Sequence, residues 1–173
     1  MRRYKHSVLL GLCLLLGGCG LMPVTPAATS EYDHSYDFGQ VRKIAIQPIS
    51  RDSVSTVTIT DLQISRIDQA LVTELQSRGF QVVTVNADAD MFLSWQLVTQ
   101  ENAQVKIADG STQYAKKGTL FVNMIDPVML KSVWRARFES GLRENPESDA
   151  AAQYRQQAAE VILAQFPPTQ AAR

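Results

Sequence analysis

The forty residues from Thr60 to Thr99, TDLQISRIDQALVTELQSRGFQVVTVNADADMFLSWQLVT, hold a helix signal followed directly by strand signals. Thr60 and Gln63 stand at capping-box spacing: the hydroxyl can accept from the third backbone N–H while the glutamine reaches back to that of Thr60. Ile64, Ile67, Leu71 and Leu75 then recur at helical spacing, so one face is core and the face of Arg66, Glu74 and Arg78 is solvated. Gly79 supplies a left-handed residue and Phe80 an apolar one to fold back on Leu75, which is a Schellman ending. The pattern predicts a helix from about Asp61 to Arg78. Phe80 to Val85 reads as a strand entry and Asn86 to Asp90 as a turn. Met91 to Thr99 reads as a strong strand with room to continue to Ile107.

The neighbouring segments extend this pattern. Upstream, Val41 to Ile46 reads as a strand that stops before Pro48, and residues 50–60 as either a loop or a ragged edge strand. Downstream, Asp109-Gly110 is a hairpin signal. Gly118 to Ile125 is a strand, Asp126-Pro127 turns the chain, and Ser132 to Ser140 returns. Asn145 as N-cap with Pro146 at the first helical position would open a second helix. Its buried face would be Tyr154, Ala158, Val161 and Ile162, and Pro167-Pro168 would end it. Strand, helix, several strands, helix is an α+β order: a mostly antiparallel sheet of four to six strands with two helices packed on one face.

Length and composition agree with one such domain. The chain has 173 residues, 45% of them hydrophobic and 20% charged, which excludes a disordered acidic tail and a disulfide-dense miniprotein. Seventeen basic groups balance seventeen acidic ones, so there is no basic footprint for nucleic acid.

The N-terminus reads as an address. Arg2, Arg3 and Lys5 precede an apolar run, Val8 to Leu16, that is far shorter than the ~20 residues needed to span a bilayer. This is the pattern of a secretory signal. The run ends in Leu16-Gly17-Gly18-Cys19, which resembles the bacterial lipobox, in which the cysteine becomes the first mature residue and carries lipid such as palmitate. Cleavage before Cys19 takes 18 of the 173 residues and leaves 155. It removes three of the 17 basic groups against none of the 17 acidic, for a net charge of −3. Cys13 leaves as well, so no intramolecular disulfide can form. The expected organisation is a signal at 1–18, lipidated Cys19 and a flexible Pro- and Thr-bearing tether at 19–36, one periplasmic domain at 37–168, and a tail at 169–173. Gly20, where the resemblance places aspartate in proteins kept at the inner membrane, implies the outer membrane.

Further residues carry a family likeness. Tyr36-Asp37-Phe38 leads into the first strand and Arg78-Gly79-Phe80 closes the first helix. Gly118-Thr119-Leu120 opens a strand ending near Asp126, Val133-Trp134-Arg135 forms the next, and Gln165-Phe166-Pro167-Pro168 closes the domain. Together they resemble a family of bacterial lipoproteins built on a domain of unknown function, the type numbered 4136. Ala45-Ile46-Gln47 departs from it where an aromatic residue is expected. The resemblance implies a fold and a lipid anchor and carries over no catalytic residue.

Chemical motifs are sparse. His34 is the one histidine beyond the signal, which excludes a multi-histidine zinc site. Asp33, His34 and Asp37 could gather a metal, but a solvated tether is the simpler reading, because catalytic groups need rigid placement. Asp88 and Asp90, and likewise Asp126, read as turn residues. No phosphate loop, nucleophile elbow or zinc-protease helix is present. Lys116, Lys117, Arg135 and Arg137 are candidate contacts for a polyanion or a partner. Against that, Val133, Arg135 and Arg137 alternate with Trp134, Ala136 and Phe138, as an ordinary strand with one buried face requires.

The leading expectation is therefore a non-enzymatic, lipid-anchored outer-membrane lipoprotein whose periplasmic domain binds or scaffolds another envelope component. A glycan- or small-ligand-binding module is the alternative, and a hydrolase a distant third. No cofactor beyond the lipid on Cys19 is expected, and no nucleic-acid partner.

Overall fold

The computed structural model describes residues 27–49, 59–106, 112–141 and 148–168, with side chains for all of these except 101–106, 112–116 and 140–141. The strands are β1 (Ala28–Tyr32), β2 (Lys43–Ile46), β3 (Gln81–Val83), β4 (Met91–Lys106), β5 (Thr112–Asp126) and β6 (Lys131–Gly141). The helices are α1 (Asp61–Ser77) and α2 (Asp149–Leu163). All six strands form one sheet in the order β1-β6-β5-β4-β2-β3.

Helix α1 forms where its local signals place it. Thr60 Oγ1 accepts from Gln63 N–H at 3.2 Å while Gln63 Oε1 accepts from Thr60 N–H at 2.9 Å. At the other end Gly79 has φ 88°, and Phe80 N–H reaches back to the Leu75 carbonyl at 3.0 Å. Both caps satisfy backbone groups that a helix leaves open. Helix α2 starts later than Asn145-Pro146 suggests: Ser148 is its N-cap, its hydroxyl accepting from Ala151 N–H at 3.2 Å. Asn145, Pro146, the Asp109-Gly110 turn and residues 50–58 lie outside the described residues.

The sheet is mixed. β4, β5, β6 and β1 pair antiparallel in succession, whereas β2 runs parallel to both β3 and β4. The physical reason is α1, which supplies the crossover that parallel neighbours require between β2 and β3. The chain then returns past β2 to begin β4. Gln47 Nε2 donates to Asn86 Oδ1 at 3.2 Å beyond one end of β2, and Asp90 Oδ2 accepts from Arg42 and Lys43 N–H, at 2.9 and 2.8 Å, at the other.

Registry puts one set of side chains on the helix side. Ile44, Met91, Leu93, Trp95, Val122, Met124, Trp134, Ala136 and Phe138 all face it and are buried with Leu71 and Leu75 of α1 and Ile162 and Leu163 of α2. Phe166, just past α2, meets Trp134 at 5.3 Å and Phe38 at 6.0 Å between ring centroids. Both helices thus cover one face, as the sequence predicts.

Three local expectations need correction. Residues 28–32, read as part of the tether, are the edge strand β1, with Ala28 opposite Phe138 and Tyr32 opposite Trp134. The tethering reading fails from here on because Tyr32 and Tyr36 pack against Phe38, at 6.1 and 4.9 Å, and so join the core. Val133 does not share the open face of Arg135 and Arg137. The pairing shifts between Met124–Trp134 and Ile125–Ser132, and this bulge turns Val133 inward to 1% exposure. Glu74 is buried rather than solvated, its carboxylate held by Arg78 Nε at 2.5 Å one turn on.

Candidate functional site

With both helices on one side, no helix among the described residues covers the opposite face of β4, β5, β6 and β1. Side-chain alternation places Phe92, Ser94, Gln96 and Val98 of β4 there, with Thr119, Phe121, Asn123 and Ile125 of β5 and Arg135, Arg137 and Glu139 of β6. Phe121 lies between Gln96 and Arg137, Asn123 between Ser94 and Arg135, and Ile125 beside Phe92. Half-buried aromatic and aliphatic groups in the middle strands are flanked by charge toward the β1 edge.

The charges on this face are largely matched. Arg135 Nε donates to Asn123 Oδ1 at 2.6 Å, and its guanidinium stands 3.8 Å from Glu31. Arg137 Nε donates to Thr29 Oγ1 at 3.1 Å and lies 3.9 Å from Glu139, which also pairs with Lys117. Lys117, followed by Arg137, holds the Glu139 carboxyl below its ordinary range. Three of the four basic residues singled out in the sequence therefore meet on one face, each beside a carboxylate. Lys116 is not brought into this group by its backbone position: it sits on β5 at the register irregularity opposite Gln100–Ala103. Its side chain, like all of Cys19, lies outside the described residues. A shallow open groove of about 250 Å³ follows the β1–β6 seam, with Glu31, Asp33, Ser132 and Arg135 on its walls.

At the end of the sheet where β5 turns into β6, acids do structural work. Asp126 Oδ1 accepts from Val128 N–H at 2.8 Å and Met129 N–H at 2.6 Å. Those donors, with the Tyr36 hydroxyl, hold the Asp126 carboxyl below its ordinary range. Burial first, then the charges of Asp126, Asp90 and Asp37, push the Tyr36 hydroxyl up to about 12. Asp33 accepts from the Ser35 hydroxyl at 2.6 Å and from Lys131 Nζ at 2.9 Å, and both keep it well below the carboxylate range. His34 packs against Tyr32 with the two rings tilted at 55°, 4.3 Å between ring centroids. Among the described residues no three His, Cys, Asp or Glu side chains converge as a metal set. Among the described residues the one carboxyl shifted upward is Asp68 on α1: burial raises it, opposed by the Trp95 indole N–H, which donates to its Oδ1 at 2.7 Å. Among the described residues no helix is long and apolar enough to cross a membrane.

Sequence reasoning placed the turn between β5 and β6 at Asp126-Pro127 but did not anticipate what it exposes. Val128, Met129 and Leu130 are strongly exposed there, although Pro127-Val128-Met129-Leu130 was legible as an apolar run placed immediately after a turn signal.

Solved structures with the same fold are distant in sequence. A PDZ domain protein from Parabacteroides distasonis superposes with a TM-score of 0.57 at 14% identity, over 86% of this chain and 37% of that one, so this chain spans little more than a third of its length. A PelC dodecamer from Paraburkholderia phytofirmans gives 0.51 at 16% identity, over 85% of this chain and 98% of that one. A DUF4136 family protein from Bacteroides thetaiotaomicron gives 0.51 at 12% identity, over 82% and 94%. No curated protein matches the sequence. The family model described as Domain of unknown function (DUF4136) matches residues 28–168, from the first residue of β1 to the prolines after α2, and the chain belongs to that family.

Proposed function

We propose that the protein is a lipid-anchored outer-membrane lipoprotein whose periplasmic domain binds or scaffolds another component of the cell envelope without catalysing a reaction. The observation that carries the binding half is the one-sided sheet: among the described residues, helices cover one face of the six strands only, with Phe92, Phe121 and Ile125 half-buried on the other. A broad sheet face with matched charges suits a macromolecular surface better than a small substrate, which needs a deep pocket. The Leu16-Gly17-Gly18-Cys19 motif and Gly20 support the anchor and its membrane. Because β1 begins at Ala28, only residues 20–27 separate Cys19 from the sheet. Fully extended, that linker reaches no more than about 30 Å, so the domain would work close to the headgroups.

The test is metabolic labelling with palmitate together with a crosslinking pull-down from intact cells, comparing wild type with Cys19→Ala. Label on the wild type only, and an envelope partner recovered with the wild type and lost with the variant, is the expected result. An unlabelled wild type would remove the anchor from the proposal.

A second reading, binding of an anionic glycan or small ligand, draws on Lys117, Arg135 and Arg137 sharing one face. Glu31 and Glu139 beside them lower the local positive charge and make it the weaker reading. It requires salt-sensitive binding to peptidoglycan that is lost in Arg135→Ala with stability unchanged.

A further inference from the structure

The β5–β6 turn turns three successive large apolar side chains to water: Val128 is 88% exposed, Met129 60% and Leu130 74%. Isolated exposed apolar residues are ordinary, but a contiguous set on one projection marks an interaction surface. This turn is rigidly built. Asp126 holds it through the N–H groups of Val128 and Met129, Leu130 N–H donates to the Asp126 carbonyl at 2.9 Å, and the Tyr36 hydroxyl holds the Asp126 carboxylate in turn. Leu130 has φ 52°, the one positive φ outside glycine among the described residues. A branched side chain in that region is strained where glycine is not. The leucine is thus kept at a conformational cost, at a position where it contributes nothing to the core.

The surroundings specify what this projection can meet. Asp37, Asp90 and Asp126 all bear on Tyr36 at its base, and Lys131, which follows Leu130 in the chain, is tied to Asp33. The result is an apolar knob in an acidic collar. It also lies at the end of the sheet opposite the entering chain: Ala28 pairs with Phe138, seven positions along β6 from Lys131, which is about 20 Å of strand. Anionic headgroups would be repelled by the collar, and β1 begins at the far end of the sheet from the knob.

We propose that Val128, Met129 and Leu130 form the docking knob for a protein partner that offers a shallow apolar pocket rimmed by Lys or Arg side chains. The inference rests on the binding function proposed above and gives it a place and a chemistry. Burial of the three side chains supplies affinity, and the collar against a basic rim supplies orientation.

The test uses the full-length protein in its native cells, with a photo-crosslinking residue at Met129 or, separately, at Val98 on the open sheet face. The expected result at Met129 is one discrete adduct with an envelope protein, its crosslinked peptide apolar and flanked by Lys or Arg. Leu130→Gly should cut that adduct at least tenfold while leaving the domain's thermal midpoint unchanged or raised, because glycine relieves the backbone. Several results overturn the knob: an adduct yield unchanged by Leu130→Gly, a lowered midpoint in that variant, phospholipid adducts, or adducts to a second copy of the chain. A partner captured at Val98 with Met129 silent overturns the knob and leaves the binding function standing. Silence at both sites overturns both.

Discussion

Replacing Asp126 by alanine tests how the exposed turn is held. The carboxylate is only 9% exposed and takes the N–H groups of Val128 and Met129 at 2.8 and 2.6 Å along with the Tyr36 hydroxyl. Val128 and Met129 are exposed, so alanine leaves their N–H groups to water rather than orphaned. The cost is then the net value of charge-assisted hydrogen bonds, about 2–3 kcal/mol in all. For a domain of this size that lowers the thermal midpoint by roughly 5–10 °C. Asp126→Asn keeps an oxygen acceptor for the turn and loses only the charge, so it should cost about 1 kcal/mol or less. Urea titration followed by tryptophan fluorescence is a suitable assay, since Trp95 and Trp134 are both buried and will report unfolding. The pH dependence has a defined sign. A carboxyl whose folded pKa is lowered stabilises fully above its unfolded value of about 3.9, and that contribution fades as pH falls toward the folded value. The gap between wild type and Asp126→Asn should therefore be constant from pH 5 to 8 and shrink below about 4. An Asp126→Ala variant within about 0.5 kcal/mol of wild type at pH 7, or a gap to Asp126→Asn that persists undiminished at pH 2, would refute the reasoning.

Other substitutions probe the rest of the framework. Leu75→Ala, at a residue of 0% exposure where α1 meets the core, should cost about 2–5 kcal/mol in denaturant unfolding. Thr60→Ala removes the cap hydroxyl and should cost about 1 kcal/mol, most of it recovered by Thr60→Ser. Asp68→Asn should stabilise the protein at pH 7: a carboxyl raised by burial is a liability when ionised, and the amide oxygen still accepts from Trp95. That gain should vanish in acid, below the unfolded carboxyl value, and its absence at pH 7 would mean Asp68 is not desolvated. Arg137→Ala on the open face should change stability by less than about 1 kcal/mol, as exposed pairs do, so any binding defect it shows is a direct one.

The parts of the fold that were legible in the sequence are those whose causes lie within a few residues of one another. The Thr60–Gln63 box, the Leu71–Leu75 stripe and Gly79-Phe80 lie within about one helix length, and α1 spans 61–77 accordingly. Alternation along Trp134-Arg135-Ala136-Arg137-Phe138 likewise places arginines out and rings in, and the structure follows it. The helix–strand order was enough for the α+β class with both helices on one face.

Tertiary structure decided what depends on partners far along the chain. Ala-Thr-Ser-Glu-Tyr at 28–32 has little strand character of its own and becomes β1 because Thr29–Tyr32 find β6 more than a hundred residues on. Whether β2 pairs parallel or antiparallel turns on where α1 delivers the chain, and no residue within β2 encodes that. The bulge that buries Val133 comes from a register shift against β5, not from the composition of β6. Asp126, legible as a turn residue, shows its carboxylate's reach to Tyr36 only once the two segments meet, and so does the exposure of Val128, Met129 and Leu130. Capping and periodicity are local energies and can be read in place. Strand pairing, register and exposure are properties of two segments together, and the sequence of either one alone does not contain them.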